Sequence, residues 1–199
     1  MKNVLILGAT GTLGSAVRQN FLKKTNYHLT LFARSANQID PRPQERVIAG
    51  DVMNAADLDR AMTGQNAIFV ALRGSLGAYA DRIIAAMKRN HVSRLIFITS
   101  MGIYNEIPSS IGASGNLEHN PILRPYREAA DTIEASDLNY TIIRPGWFMR
   151  GPVGYKITHK GEPFGGQYVT ISSIADLVLR LVKDDQLYSR DSVGINTPA

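Results

Sequence analysis

The chain has 199 residues, of which 44% are hydrophobic, a size and composition that fit one α/β domain with a full core. It contains no cysteine, which excludes a disulfide framework, a thiolate nucleophile and a zinc site built on cysteine. The net charge of +5 comes from basic residues spread along the chain. This spread argues against a nucleic acid partner and leaves a polyanionic small ligand or ordinary surface charge as its cause.

No targeting or membrane segment is expected. The first predicted strand begins almost directly after Met1, which leaves no room for a signal peptide. No apolar run approaches the length that spans a bilayer. The sequence therefore predicts a cytoplasmic protein that has no membrane partner.

The segment 4–14 combines a short apolar strand with three glycines spaced three residues apart. Gly8, Gly11 and Gly14 permit a tight turn, a close approach of backbone to a pyrophosphate, and close packing of helix on strand. The helix predicted over 12–24 offers the free N–H groups of its first turn to phosphates. A dinucleotide site is therefore predicted, and a tight turn without a ligand is the alternative. The residues predicted to contact the cofactor here are Gly8, Thr10, Gly11, Thr12, Leu13 and Gly14.

Strands and helices alternate along most of the chain. Strands are predicted over 4–7, 29–33, 47–49, 67–72, 95–99, 140–144 and 192–196. Helices are predicted over 12–24, 54–62, 76–90, 124–135 and 173–183. The last helix begins with Ser173 and Asp176 in the spacing of a capping box. Continuous apolar strands such as 95–98 are typical of a sheet that helices cover on both faces.

This alternation predicts a doubly wound parallel sheet, the Rossmann fold, in a single domain over 1–199. The stretch 151–170 breaks the alternation and carries several glycines. Residues 147–172 are therefore predicted to form a small C-terminal cap or hairpin over the site. Ligands of such folds bind at the carboxyl ends of the strands, so the residues directly after each strand are the candidates.

Arg34 and Ser35 follow the second strand, where a dinucleotide site selects its cofactor. An acidic residue there would bind the ribose hydroxyls and repel a 2′-phosphate, whereas an arginine favours the phosphate. NADP(H) is therefore predicted to be preferred over NAD(H). The alternatives are that Arg34 stacks on adenine or is only solvated.

The other strand ends complete the predicted cofactor site. Asp51 could accept a hydrogen bond from the adenine amino group, or it could equally cap the following helix. Ser100 ends the fifth strand with a hydroxyl directed at the expected nicotinamide position. The residues predicted to line the cofactor at these ends are Asp51, Val52, Ala71, Leu72, Ser100 and Pro145.

An aromatic pair and a long loop lie beside the expected nicotinamide position. Trp147 and Phe148 follow the sixth strand and could form a wall for a planar substrate or could equally pack in the core. The segment 101–123 is long for an uninterrupted loop, and such loops in compact domains tend to be functional or mobile.

Together these residues resemble the short-chain dehydrogenase/reductase superfamily in its atypical NAD(P)H-binding branch. That branch includes NmrA-like proteins and the biliverdin-IXβ/flavin reductases. The resemblance covers essentially the whole chain. The residues that carry it are the glycine segment 8–14, Arg34, and the segments 50–52, 98–100 and 137–146.

The chain departs from the superfamily because it lacks the Tyr-x-x-x-Lys pair that most members use. None of the eight tyrosines is followed by a lysine four residues later. For Tyr126, Ala130 stands at the lysine position. Tyr140 and Arg144 have the spacing, yet they lie on a predicted strand, where four residues span ~13 Å. Alcohol–ketone chemistry is therefore not expected, and a nucleotide-sugar epimerase, which needs the tyrosine, is disfavoured.

Reduction of a flavin or quinone does not need that pair, because the acceptor is conjugated and solvent can supply the proton. By the resemblance, Ser100 would contact the nicotinamide region or the substrate. Tyr104 or His119 of the loop could donate a proton, with hydrogen bonding within the loop as the alternative. The resulting hypothesis is an NADP(H)-dependent reductase of a planar small molecule, with Ser100 and Tyr104 as candidate catalytic residues and no metal. A non-catalytic NADP(H) sensor that acts through a protein partner is the alternative.

Overall fold

This computed structural model describes residues 1–197, which contain ten strands and five α-helices. Pro198 and Ala199, the last residues of the predicted domain, lie outside the described residues. The strands are β1 Asn3–Leu7, β2 His28–Ala33, β3 Glu45–Ala49, β4 Ala67–Val70, β5 Arg94–Ile98, β6 Asn139–Pro145, β7 Trp147–Met149, β8 Lys156–Thr158, β9 Tyr168–Thr170 and β10 Asp191–Asn196. The helices are α1 Thr12–Lys24, α2 Ala55–Met62, α3 Leu76–Arg89, α4 Arg124–Glu134 and α5 Ile171–Lys183.

The main sheet has eight strands in the order β3-β2-β1-β4-β5-β6-β10-β8. All neighbours in it are parallel except β8, which pairs antiparallel with β10. The order reverses between β1 and β4, and this switch point opens a crevice at the carboxyl ends of the strands. The predicted doubly wound Rossmann fold is confirmed.

Helices cover both faces of the sheet, which explains the continuous apolar strands. In β1, Leu5 and Leu7 belong to the core beneath α2, α3 and α4, while Val4 and Ile6 belong to the core beneath α1 and α5. Side chains alternate across a strand, so both faces of β1 must be apolar. Of the helices within 1–197, none is at once long enough and apolar enough to span a membrane.

Residues 147–172 contain three short strands that do not form a hairpin with one another. β7 and β9 pair in parallel as a separate two-stranded ribbon, whereas β8 leaves them to join the edge of the main sheet at β10. A parallel pair needs a long connection, and the chain between β7 and β9 supplies it by running through β8. These pairings exclude a hairpin within this segment, and its role as a cap over the site stays a prediction.

The capping box predicted at Ser173 is also wrong. α5 begins at Ile171, and its N-cap is Thr170, whose hydroxyl accepts a hydrogen bond from the Ser173 N–H at 3.2 Å. The Ser173 hydroxyl lies 2.6 Å from the Thr170 hydroxyl and accepts from the Gly154 N–H. The chain turns into α5 directly from β9, so the last strand residue takes the extended N-cap conformation.

The C-terminal end of α5 is held by two basic residues from the amino edge of the sheet. The Lys2 ammonium donates to the Val182 carbonyl at 2.6 Å, and the buried Arg94 guanidinium donates to the Leu181 carbonyl at 3.2 Å. Arg94 also donates to Thr141 Oγ1 at 2.9 Å, and burial lowers its pKa to about 10. Cations at this position satisfy helix carbonyls and oppose the negative end of the helix dipole.

Arg94→Met is expected to lower the free energy of unfolding by about 3 kcal/mol, because buried carbonyls that Arg94 now satisfies would lose their donors. Urea denaturation monitored by circular dichroism measures the change. Arg89→Met is the matched control: Arg89 pairs with Asp59 at the surface, where ion pairs contribute little. Equal losses in the two variants would show that the Arg94 contacts are not important for stability.

Candidate functional site

The glycine turn after β1 is packed so tightly that a side chain would clash at two of its three glycine positions. Gly8 has a φ of +92°, and a Cβ placed on it would lie 2.3 Å from the Ala71 carbonyl oxygen. A Cβ on Gly14 would lie 2.2 Å from the Gly8 carbonyl oxygen. The Gly8 N–H donates to the Phe32 carbonyl at 2.9 Å, which fastens the turn to β2. This packing brings β1, β4 and α1 together at the switch point.

Gly11 is less tightly packed than Gly8 and Gly14. Gly11 is the N-cap of α1 in an extended conformation, and a Cβ there would contact only the Gly8 carbonyl oxygen, at 3.3 Å. Among residues 1–197, no side chain caps the first turn of α1, and that turn carries no acidic residue. Thr10, Gly11 and Thr12 are exposed. An uncapped, uncharged and accessible helix N-terminus fits the pyrophosphate of a dinucleotide.

The side chains of Leu13 and Val52, two predicted cofactor residues, are buried in the core. Leu13, in the first turn of α1, belongs to the core that α1 and α5 cover, and Val52 belongs to the core that α2, α3 and α4 cover. Leu13 can therefore reach a ligand only through its main chain. Ala71 and Leu72 are half-buried beyond β4, and the Ala71 N–H donates to the Leu7 carbonyl at 3.0 Å, which places them beside the glycine turn.

Arg34 and Ser35 lie beside the glycine turn, as the cofactor prediction requires. The Ser35 hydroxyl is 3.2 Å from Thr10 Oγ1, so the two segments are joined. Arg34 is exposed and, within residues 1–197, forms no hydrogen bond or ion pair. Arg18, which reaches the same segment, is instead bound to Glu45 by two hydrogen bonds of 2.7 Å. Arg34 thus has a guanidinium available for an anion.

Asp51 does not cap α2. Asn54 is the N-cap, and its side-chain oxygen accepts from the N–H groups of Ala56 at 2.9 Å and Asp57 at 3.2 Å. Asp51 is exposed, and its carboxylate accepts from the Met53 N–H at 2.9 Å. The capping alternative for Asp51 is therefore wrong, and its contact with adenine stays a prediction.

Ser100 and Pro145 come together at the carboxyl ends of β5 and β6. The Met101 N–H donates to the Pro145 carbonyl at 3.1 Å, and the Thr99 hydroxyl donates to the Ile143 carbonyl at 3.1 Å. Ser100 is half-buried, and its hydroxyl donates to the Met101 carbonyl at 3.0 Å. The two predicted residues therefore share one corner of the crevice.

An exposed aromatic surface borders this corner. Trp147 on β7 lies opposite Tyr168 on β9, and their exposed fractions are 65% and 50%. Phe148, the next residue on β7, is 43% exposed and lies on the opposite face of the strand pair. Trp147 and Tyr168 are termed the aromatic ribbon. The core-packing alternative for Trp147 and Phe148 is therefore wrong, because β7 starts beyond the main sheet, two residues after Pro145.

Comparisons with known proteins agree with this geometry. A family model described as NAD(P)H-binding matches residues 8–185, which is most of the chain. The chain belongs to this NAD(P)H-binding family. The relationship predicted from the sequence, to NAD(P)H-binding reductases of the short-chain dehydrogenase/reductase type, is confirmed.

Solved structures resemble the NAD(P)H-binding protein over its full length. A Rossmann-fold NAD(P)-binding family protein from Shigella flexneri is 38% identical, with a TM-score of 0.86 over 100% of this chain and 95% of that chain. A short-chain dehydrogenase/reductase from Veillonella parvula in complex with NADP is 26% identical, with a TM-score of 0.92 and the same coverage. The anaerobillin reductase ChuY from Escherichia coli shares the fold at 20% identity, with a TM-score of 0.80 over 98% and 97% of the two chains.

Tyr104, the candidate proton donor of the NAD(P)H-binding protein, is tied into a charged cluster. Its hydroxyl donates to Glu134 Oε1 at 2.7 Å, and the Lys160 ammonium lies 4.5 Å from its ring centroid. Burial, more than the nearby Glu134 carboxylate, raises the pKa of the Tyr104 hydroxyl far above its usual range. This geometry favours the alternative of a structural hydrogen bond. His119 is exposed, and its Nε2 lies 3.4 Å from Glu118 Oε1.

The loop 101–123 is more ordered than the sequence indicated. It contains two short 3-10 helices, Ala113–Gly115 and Pro121–Leu123. The buried Asn116 side chain exchanges two hydrogen bonds of 2.9 Å with the main chain of Ile107. The sequence did not reveal this anchor or the pairing of Tyr168 with Trp147. An isolated polar or aromatic residue in a loop carries no periodic signal that would have revealed them.

Proposed function

We propose that the protein is an NADPH-dependent reductase that transfers hydride to a planar, conjugated acceptor such as a flavin or a quinone. The observation that carries the proposal is the aromatic ribbon, an exposed aromatic surface that begins two residues beyond Pro145. Exposed aromatic surface beside a cofactor crevice is suited to stacking with a flat ligand. Reduction of such a ligand is consistent with the missing Tyr-x-x-x-Lys pair.

The cofactor half of the proposal rests on the glycine turn and Arg34. The N-terminus of α1 would hold the pyrophosphate, and the free guanidinium of Arg34 would bind the 2′-phosphate that distinguishes NADPH from NADH. The bound NADP of the Veillonella relative, which has the same fold, supports this choice. When bound, NADPH supplies the hydride.

The acceptor half concerns what the residues around Ser100 would do. Trp147 and Tyr168 would stack on the acceptor and exclude water from one of its faces. The Ser100 hydroxyl, which donates to the Met101 carbonyl, keeps its lone pairs free to accept from the cofactor or the acceptor. The Tyr104 hydroxyl is committed to Glu134, so solvent would supply the proton. The activity of the anaerobillin reductase, a structural neighbour, is a precedent for this fold and supports the reductase class.

Turnover with a panel of acceptors tests the proposal. NADPH oxidation is followed with purified protein and FMN, riboflavin or menadione, and we expect saturable turnover with at least one of them. Trp147→Ala is expected to raise the KM for that acceptor about tenfold, because a lost stacking contact costs on the order of 1.5 kcal/mol. Trp147→Phe keeps an aromatic face and is expected to stay near the wild type. An equal KM in all three proteins would contradict the role of the ribbon.

The same ribbon would also suit a protein partner, which keeps the sensor as a second candidate. Exposed apolar patches on soluble domains mark binding surfaces of either kind. Tight NADPH binding without turnover on any acceptor would favour the sensor. A sensor is expected to capture its partner in an NADPH-dependent way that Trp147→Ala abolishes. Capture of a partner to the same extent with and without NADPH would exclude the sensor.

A further inference from the structure

We infer that Glu106 is a positioning residue that holds the two walls of the acceptor pocket together, an inference that rests on the proposed function. One wall is the turn after β5, which carries Ser100. The other is the aromatic ribbon, which carries Trp147. Glu106 contacts both through different groups: its carboxylate binds the turn, and its main-chain carbonyl binds the segment that leads into the ribbon.

The carboxylate of Glu106 shapes the turn that follows Ser100. Its Oε1 accepts from the Gly102 N–H at 3.0 Å, and its Oε2 accepts from the Tyr104 N–H at 2.9 Å. Gly102 has a φ of +85°, and a Cβ there would lie 2.6 Å from the Gly115 carbonyl oxygen. The chain therefore makes a sharp turn at this point, and Glu106 satisfies two of the amides that the turn leaves free.

Arg144 fixes Glu106 to the sheet. The Arg144 Nη1 donates to Glu106 Oε1 at 2.5 Å, and both side chains are almost completely buried. The guanidinium also donates from Nε to Ser192 Oγ and from Nη2 to the Ser192 carbonyl, each at 3.2 Å. Because both charges are desolvated and hydrogen-bonded, either one would be left unpaired if the other moved. The turn is therefore held in register with β6 and β10.

The main chain of Glu106 reaches the second wall. Its carbonyl accepts from the Phe164 N–H at 2.8 Å, and the buried Phe164 ring packs with Met101 and Ile107. The chain then passes to Gln167, whose carbonyl accepts from the Trp147 N–H at 2.8 Å. A displacement of Glu106 would therefore move Phe164 and, through it, the aromatic ribbon. The spacing between Ser100 and Trp147, into which the acceptor would fit, depends on this link.

The test uses Glu106→Gln, with Glu118→Gln as the matched control. Glutamine keeps the size of the side chain but removes the charge that faces Arg144. Glu118 lies on the same loop but is exposed. Trp147 is the only tryptophan of the chain, so its fluorescence reports the ribbon alone. Titration with FMN or menadione is expected to give an acceptor Kd about tenfold weaker for Glu106→Gln, because small misplacements of a binding wall have large effects. The Kd for NADPH should change less than about twofold, because the glycine turn is untouched.

Quenching of Trp147 by acrylamide without any acceptor separates this inference from the proposed function. A quenching constant that shifts in Glu106→Gln but not in Glu118→Gln would support the link between the two walls. This support would hold even if the wild type bound no acceptor, because a failure to bind acceptor would overturn only the proposed function. Unchanged quenching and an unchanged acceptor Kd in a folded Glu106→Gln protein would overturn the inference. If Glu106→Gln does not fold, Glu106→Asp, which keeps the charge but shortens its reach, is measured instead and is subject to the same two outcomes.

Discussion

Gly11→Asp is expected to weaken NADPH binding by at least about 100-fold without lowering the stability of the fold. Gly11 is the N-cap of α1 and has a φ of −79° and a ψ of 169°, a conformation that an aspartate adopts, and its Cβ would make one close contact of 3.3 Å with the Gly8 carbonyl oxygen. The new carboxylate would accept from the free N–H groups of the first turn, the groups that the pyrophosphate would otherwise use. It would also place a negative charge against the phosphates. Binding is measured by calorimetric titration with NADPH.

The stability of the variant is the part of this result that identifies the mechanism. A capping aspartate is expected to raise the free energy of unfolding by about 0.5 kcal/mol, so binding and stability should change in opposite directions. Ser93→Asp is the control, because Ser93 is exposed and directly precedes β5, at the amino ends of the strands and away from the crevice. It adds the same charge and is expected to leave NADPH binding nearly unchanged. Intact NADPH binding by Gly11→Asp would exclude the N-terminus of α1 as the pyrophosphate site.

Features of the fold and the site that depend on neighbours in the sequence could be predicted. The turn at Gly8 and Gly14 follows from backbone geometry, since a Cβ at either position would clash with a carbonyl oxygen. The position of Arg34 beside the glycine turn follows from the length of one strand–helix–strand unit. The helices predicted from apolar periodicity all exist, because each covers one face of the sheet.

Local signals were insufficient where the sequence offered two solutions of similar energy. Asp51 and Asn54 can both cap a helix, and the structure uses Asn54. Thr170 and Ser173 can both cap α5, and the choice depends on where β9 ends. That end depends in turn on the pairing of β9 with β7, which no short stretch of sequence encodes.

Contacts between distant segments could not be predicted at all. Glu106 and Arg144 are 38 residues apart, and Tyr104 and Glu134 are 30 residues apart. Each pair forms because the topology brings a loop onto β6 or α4, and neither the spacing nor the composition of the chain indicates it. The glycine turn and the strand ends of the proposed cofactor site could therefore be located from the sequence, whereas the contacts of Glu106 and Tyr104 with distant segments required the structure. Loops that meet through tertiary contacts are the least predictable parts of such a site.

Arg34→Asp is expected to reverse the preference between the two cofactors. Loss of a charge-assisted contact with the 2′-phosphate costs about 1.5–3 kcal/mol, which corresponds to a 10- to 150-fold increase, roughly, in the Kd for NADPH. The Kd for NADH is expected to stay the same or fall, because the aspartate can accept from the ribose hydroxyls. Titrations with both cofactors at one fixed salt concentration give the ratio directly.

Two further variants decide whether Arg34 itself recognises the phosphate. Arg82→Asp changes the net charge equally at an exposed position of α3 and is expected to alter neither Kd by more than about twofold, because salt screens distant charges. Arg34→Lys keeps the positive charge but lacks the planar guanidinium that can donate two parallel hydrogen bonds to a phosphate, so it should give an intermediate Kd for NADPH. Equal losses for NADPH and NADH in Arg34→Asp would mean that Arg34 supports the site without reading the phosphate. Weaker binding of NADPH alone would instead show that the end of β2 selects the cofactor. There the free guanidinium of Arg34 lies beside Thr10 and Ser35.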